Sequence, residues 1–80
     1  MKLPRDLSGL KLAEALARLG YEIDHQTGSH IRLMSQRVGE HHLTIPAHDP
    51  LKVGTLNAIL RAVAEHQALS REELLRELFG

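Results

Sequence analysis

The first regular pattern in the chain has a helical period. Leu10, Leu12, Ala13, Leu16 and Leu19 recur at that spacing and predict a helix over residues 7–19. Asp6 or Ser8 can cap it, because either side-chain oxygen can accept a first-turn N–H, and Gly20 suits the position just past its end. The period then falls to two. Residues 21–26, 30–35 and 41–45 alternate, with turn sequences at Thr27-Gly28-Ser29 and Gln36-Arg37-Val38-Gly39 between them, which predicts three strands joined by two hairpins. Pro46 stops the third strand, since it has no N–H for a ladder. Residues 47–52 read as a loop. Helical spacing returns at Val53, Leu56, Ile59, Leu60 and Val63 and ends near His66. Ser70 and Glu73 form a capping box that opens a short last helix, with Leu74, Leu75, Leu78 and Phe79 on its apolar face.

Two hairpins make the sheet antiparallel. Each strand has one consistently apolar face, so helices cover one side and leave the other to solvent or a partner. The expected fold class is therefore α+β, α-β-β-β-α with a short extra C-terminal helix, formed by residues 1–80 as one domain. Parity turns Ile23, Ile31, Leu33, Leu43 and Ile45 toward the helices, with Tyr21 and His25 on the Ile23 side of their strand. It turns Asp24, Gln26, His30, Arg32, His42 and Thr44 outward.

Composition narrows what the open face can do. The 80 residues include no cysteine, so a disulfide framework and a thiolate metal site are both excluded. Tyr21 and Phe79 are the only aromatic residues, too few for base-stacking platforms. Formal net charge is zero, so any nucleic-acid contact rests on a local patch rather than a global basic field. The 6 histidines are many for this length, and each can gain charge as pH falls. No apolar run is long enough to span a bilayer, and Met1-Lys2-Leu3-Pro4-Arg5-Asp6 lacks the apolar stretch of a signal peptide. The expected compartment is the cytoplasm, with no membrane partner.

An imidazole and a guanidinium on one exposed strand face can meet a phosphodiester. Arg32 offers a bidentate fork for phosphate oxygens, and His30 can give and take a proton near neutral pH. RNA carries its own nucleophile, the 2′-hydroxyl. Its cleavage needs only proton transfer, alignment and charge stabilisation, so the reading requires neither metal nor cofactor. A second anchor lies at Lys52-Val53-Gly54-Thr55, at the start of the second long helix. A helix N-terminus presents free N–H groups and partial positive charge to a phosphate. Gly54 permits close approach, Thr55 adds a backbone donor, and Lys52 adds a full charge.

These residues stand within a wider pattern. It comprises Leu3-Pro4, Leu7-Ser8-Gly9, Leu19-Gly20-Tyr21, Gly28-Ser29-His30, Ile45-Pro46-Ala47-His48, Leu51-Lys52-Val53-Gly54-Thr55-Leu56, Ile59-Leu60 and Leu69-Ser70-Arg71-Glu72-Glu73. In that order and spacing the chain resembles the HicA (YcfA-type) mRNA interferase toxins of bacterial type II toxin–antitoxin systems. The resemblance implies a fold like a double-stranded-RNA-binding domain. It implies metal-independent cleavage of RNA by a single histidine, that of the Gly-Ser-His motif, here His30. It also implies neutralisation by a HicB-type antitoxin that covers the active site. The chain departs from the family pattern in two ways. Ile31 stands where members usually carry a second histidine, and the net charge is zero where members are often basic.

Plainer readings accompany several of these residues. His48 is either a loop histidine with a structural hydrogen bond or, like Ser29, a supporting group behind the site. Ser29 reads as a turn residue rather than a nucleophile, since no Ser-His-Asp arrangement surrounds it. His41 and His42 are adjacent on a strand and point to opposite faces, so they do not chelate one ion. His25 and His66 read as structural or solvated. Besides a toxin endoribonuclease, the pattern admits a non-catalytic RNA-binding module of the same fold, or a partner-binding protein without RNA affinity.

Overall fold

A computed structural model describes residues 3–80, so Met1 and Lys2, part of the stretch read for a signal peptide, lie outside the described residues. The element order is a helix at Gly9–Leu16 (α1), a 3-10 turn at Ala17–Leu19, strands at Glu22–Thr27 (β1), His30–Ser35 (β2) and His41–Pro46 (β3), and helices at Val53–Gln67 (α2) and Arg71–Phe79 (α3). The strands form one antiparallel sheet in the order β1-β2-β3. The fold is thus α+β, with the expected α-β-β-β-α order and a C-terminal helix after it.

Local chemistry explains the helix boundaries. Ser8, rather than Asp6, caps α1: its hydroxyl accepts from the Lys11 amide at 3.1 Å. The helix expected over residues 7–19 is split, because after Leu16 the chain tightens into the 3-10 turn. Gly20 then reverses the chain at φ +84°, a conformation that costs a residue with a side chain. The Leu19 carbonyl left at this end is buried with two donors near it, Ser35 Oγ at 3.2 Å and Gln67 Nε2 at 3.5 Å. These account for the only two buried polar residues among the described ones. At α3 both halves of the capping box form, with Glu73 N donating to Ser70 Oγ at 3.1 Å and Ser70 N to Glu73 Oε1 at 2.9 Å. β3 continues through Pro46, one residue past its expected end. An edge strand tolerates this, because its outer N–H groups have no ladder partner to lose.

The core lies between the sheet and the helices. Leu12, Leu16 and Leu19, Ile31 and Ile45, Val63 and Leu74 are fully buried in one apolar cluster. β2 alternates as expected, with Ile31, Leu33 and Ser35 inward.

β1 departs from expectation. All six of its residues are exposed, and Ile23, expected in the core, is 47% exposed. The strand lies at one edge of the sheet, where the helices leave its side chains exposed. A β-bulge also interrupts its pairing: Ile23 stands opposite Leu33, but His25 stands opposite Arg32, leaving Asp24 as the extra residue. One inserted residue exchanges the faces of everything after it. Gln26 therefore pairs with Ile31 on the helix side, while His25 and Thr27 join the outward face. The outward placement expected of Gln26 and the inward placement expected of His25 are both reversed.

Candidate functional site

Directly opposed residues of antiparallel strands point the same way, so the pairing defines rows across the open face. The first row is Thr27, His30 and Pro46; the second is His25, Arg32 and Thr44; the third is Glu22, Met34 and His42. His30, Arg32, His42 and Thr44 thus lie on the face that the sequence assigned to them. His30 is the first residue of β2, directly after the Gly28-Ser29 turn, and it is exposed. Among the described residues, no hydrogen bond or ion pair engages the side chain of His30 or Arg32.

Main-chain bonds gather three segments at this end of the sheet. Ala47 N donates to the Ser29 carbonyl at 2.6 Å, joining the start of β2 to the exit of β3. Gly9 N donates to the His48 carbonyl at 2.9 Å, and Leu51 N to the Leu7 carbonyl at 2.8 Å, pinning the loop after β3 to the start of α1. Gly9 is essential to this join. A Cβ there would run into the Pro46 carbonyl, so only glycine lets the helix start lie against the strand end. The sequence reading missed Gly9; its place in Leu7-Ser8-Gly9 was the only signal. Ser29 and His48 both belong to this junction, and each contributes its carbonyl.

Lys52 is the N-cap of α2, with extended backbone and no side-chain cap, and its carbonyl accepts from Leu56 N at 2.9 Å. The amides of the first turn therefore lack a capping side chain. Val53 is 69% exposed, Gly54 has open space where a Cβ would be, and Thr55 is half-buried. Packing thus does not require glycine at position 54, unlike position 9. This helix start follows β3 through the pinned loop, and no hydrogen bond among the described residues ties it directly to His30 or Arg32.

Other histidines are held by neighbours. His41 Nδ1 lies 2.6 Å from the Tyr21 hydroxyl, and its ring stacks on His66 with centroids 4.3 Å apart and planes 16° from parallel. His66 Nε2 donates to the Gly39 carbonyl at 3.0 Å. Burial, with His66 and then His42 nearby, lowers the His41 pKa below that of ordinary imidazole, so this ring is neutral at pH 7. Burial raises the Tyr21 hydroxyl above its usual range, against a smaller opposing hydrogen bond with Gln67. His42, on the opposite side of β3 from His41, pairs with Glu40 at 2.8 Å. His66 is therefore structural, and the visible signal was its continuation of the Ile59–Val63 stripe of α2. Among the described residues no three His, Cys, Asp or Glu side chains are grouped to hold a metal.

The sequence model described as HicA toxin of bacterial toxin-antitoxin matches residues 10–64, more than half of the chain. The chain belongs to the HicA toxin family. The HicA match runs from α1 through the sheet into α2, so it contains Ser29, His30, Arg32, His48, Lys52, Gly54 and Thr55. α3 lies beyond it. Searches of curated proteins and of solved structures gave no match. Membership makes this chain the toxin of a toxin–antitoxin pair, with an antitoxin as partner. No helix among the described residues is long and apolar enough to cross a membrane.

Proposed function

We propose that residues 1–80 act as one HicA-like domain, a cytoplasmic toxin endoribonuclease that cleaves mRNA by histidine acid–base chemistry. The observation that carries this reading is an exposed His30 without a ring partner, beside Arg32 on an open sheet face, within the residues matched to the HicA family. The scissile phosphodiester lies on that face. His30 acts as general acid or base, and Arg32 holds the non-bridging oxygens with its planar fork. Lys52 supplies charge to an adjacent phosphate, and the uncapped amides at Gly54 and Thr55 supply donors. Ser29 and His48 support the junction that fixes where His30 begins. The 2′-hydroxyl is the nucleophile, and no step depends on a metal.

Expression in bacteria without an antitoxin tests the reading. The wild type is expected to arrest growth and deplete mRNA, and His30→Ala to do neither. Equal growth and equal mRNA levels in the two strains would sink the catalytic role of His30. Binding of duplex RNA with no cleavage at high protein concentration would instead favour the RNA-binding module, since duplexes are read mainly by shape and backbone.

The partner completing this reading is a HicB-type antitoxin seated on the open face. Amide exchange on the complex is expected to slow in all three strands. Unchanged protection there would place the antitoxin elsewhere.

A further inference from the structure

Cleavage through the 2′-hydroxyl has two proton transfers. The 2′-oxygen loses a proton as its bond to phosphorus forms. The 5′-oxygen gains one as its bond to phosphorus breaks, leaving a 2′,3′-cyclic phosphate and a 5′-hydroxyl. A single imidazole serves one of these events at a time. We propose that His25 is the second proton-transfer group, so that His30 and His25 act as the acid and base on opposite sides of the phosphorus. This rests on the ribonuclease reading above.

The β-bulge carries the argument. Unbroken alternation along β1 would send His25 to the helix side, but the extra residue Asp24 sets His25 directly opposite Arg32. His25 is then the diagonal neighbour of His30, at the distance of about 7–8 Å typical of such pairs. Two imidazoles at that separation flank one phosphodiester, and Arg32 forms the third corner on the strand that carries His30. His25 is exposed, and among the described residues no hydrogen bond or ion pair engages its ring. The charged or titratable groups around it are Arg32 opposite, His30 diagonally across, and Asp24 and Glu22 on β1 itself.

The other histidines fit this role less well. His42 shares the face, but its row is four residues along the strand from that of His30, roughly 13 Å away, and Glu40 holds its ring. His48 lies past the end of β3, in the loop pinned to α1. His41 and His66 stack on each other.

The test uses purified wild type, His25→Gln and His30→Gln on a single-stranded RNA oligonucleotide at saturating protein. The wild type is expected to show a bell-shaped dependence of rate on pH. His25→Gln is expected to lower the rate about 10²-fold or more, to leave RNA affinity unchanged, and to remove one limb of the bell. An RNA with sulfur in place of the bridging 5′-oxygen has a leaving group that needs no proton. It is expected to rescue whichever variant lacks the acid and not the other, which assigns the two roles. A His25→Gln rate within about threefold of wild type overturns the proposal. So does a larger fall with both limbs intact, since that marks a positioning role. If the wild type and His30→Gln cleave equally, or neither cleaves, the ribonuclease reading fails and this proposal with it. If His30→Gln alone is inactive, that reading stands and only the part given to His25 is lost. Because His25 is exposed, thermal unfolding of His25→Gln is expected to match wild type, which separates loss of chemistry from loss of fold.

Discussion

At the end of the sheet where β2 begins, His30 and His25 stand in solvent without a ring partner. At the other end, where β3 begins, His41 and His66 stack face to face, one against the Tyr21 hydroxyl and the other against the Gly39 carbonyl. The same side chain serves opposite ends because its surroundings differ. Burial and neighbours hold His41 in the neutral form, which ties β3 to α2 and the turn before it. The rings of His25 and His30, free of such partners, stay open to contact from outside the fold. The molecule therefore separates histidines that hold the fold from those left exposed on the open face.

Substitutions at the two ends of the sheet are expected to have opposite effects. His30→Ala is expected to lower RNA cleavage by about 10²–10⁴-fold with no change in unfolding, measured by initial rates and by denaturant titration. A loss of stability in that variant would make His30 part of the scaffold. Gly9→Ala should touch both properties. Its Cβ meets the Pro46 carbonyl, so a loss of about 1–3 kcal/mol is expected, together with reduced cleavage by the molecules that remain folded. Retention of full stability would mean that the helix start does not rest on the strand end.

The stacked end gives a smaller and purely structural effect. His66→Ala removes one hydrogen bond and one ring contact, and is expected to cost about 1–2 kcal/mol while leaving the cleavage rate per folded molecule intact. Its pH dependence has a definite sign. The His41 pKa is lower in the folded chain than in the unfolded one, so the unfolded state takes up more protons on acidification. The stability from the neutral His41 ring is fully present above the unfolded value near 6.5 and is lost as pH falls through the folded value. Denaturation midpoints between pH 7.5 and 5 should fall for wild type and flatten in His66→Ala. The smallest effect belongs to Gly54→Ala. The new methyl enters open space on a helix, so a gain of about 0.5–1 kcal/mol is expected, with weaker RNA binding in a filter assay. Unchanged RNA affinity would remove the α2 start from the proposed interface.

Much of this layout was legible in the sequence, and the exceptions share a cause. β2 pairs on both sides with alternation intact, so the faces of His30 and Arg32 follow from parity alone. β1 pairs on one side only and contains an inserted residue whose position is decided by its register with β2, information absent from its own residues. That is why His25 and Gln26 take the opposite faces, while Ile23 keeps its expected side opposite Leu33 yet stays exposed. The role of Ser35 was not legible, because its partner is the Leu19 carbonyl, brought near only by folding. Gly9 was similarly silent, because the carbonyl it must avoid belongs to Pro46, distant along the chain. Long-range backbone approach leaves little mark on local composition.

The junction at the start of β2 has a consequence for how this domain can change. The three bonds that pin it, from Ala47 to Ser29, Gly9 to His48 and Leu51 to Leu7, are all made by amides and carbonyls. Every non-proline residue supplies those groups. The path of the loop is therefore indifferent to which side chains hang from Ser29, His48 and Lys52, and a library randomised at those positions would vary chemical character while keeping shape. Gly9 must stay fixed. The domain thus offers a frame on which the chemistry of this surface can be redrawn without the chain having to learn a new fold.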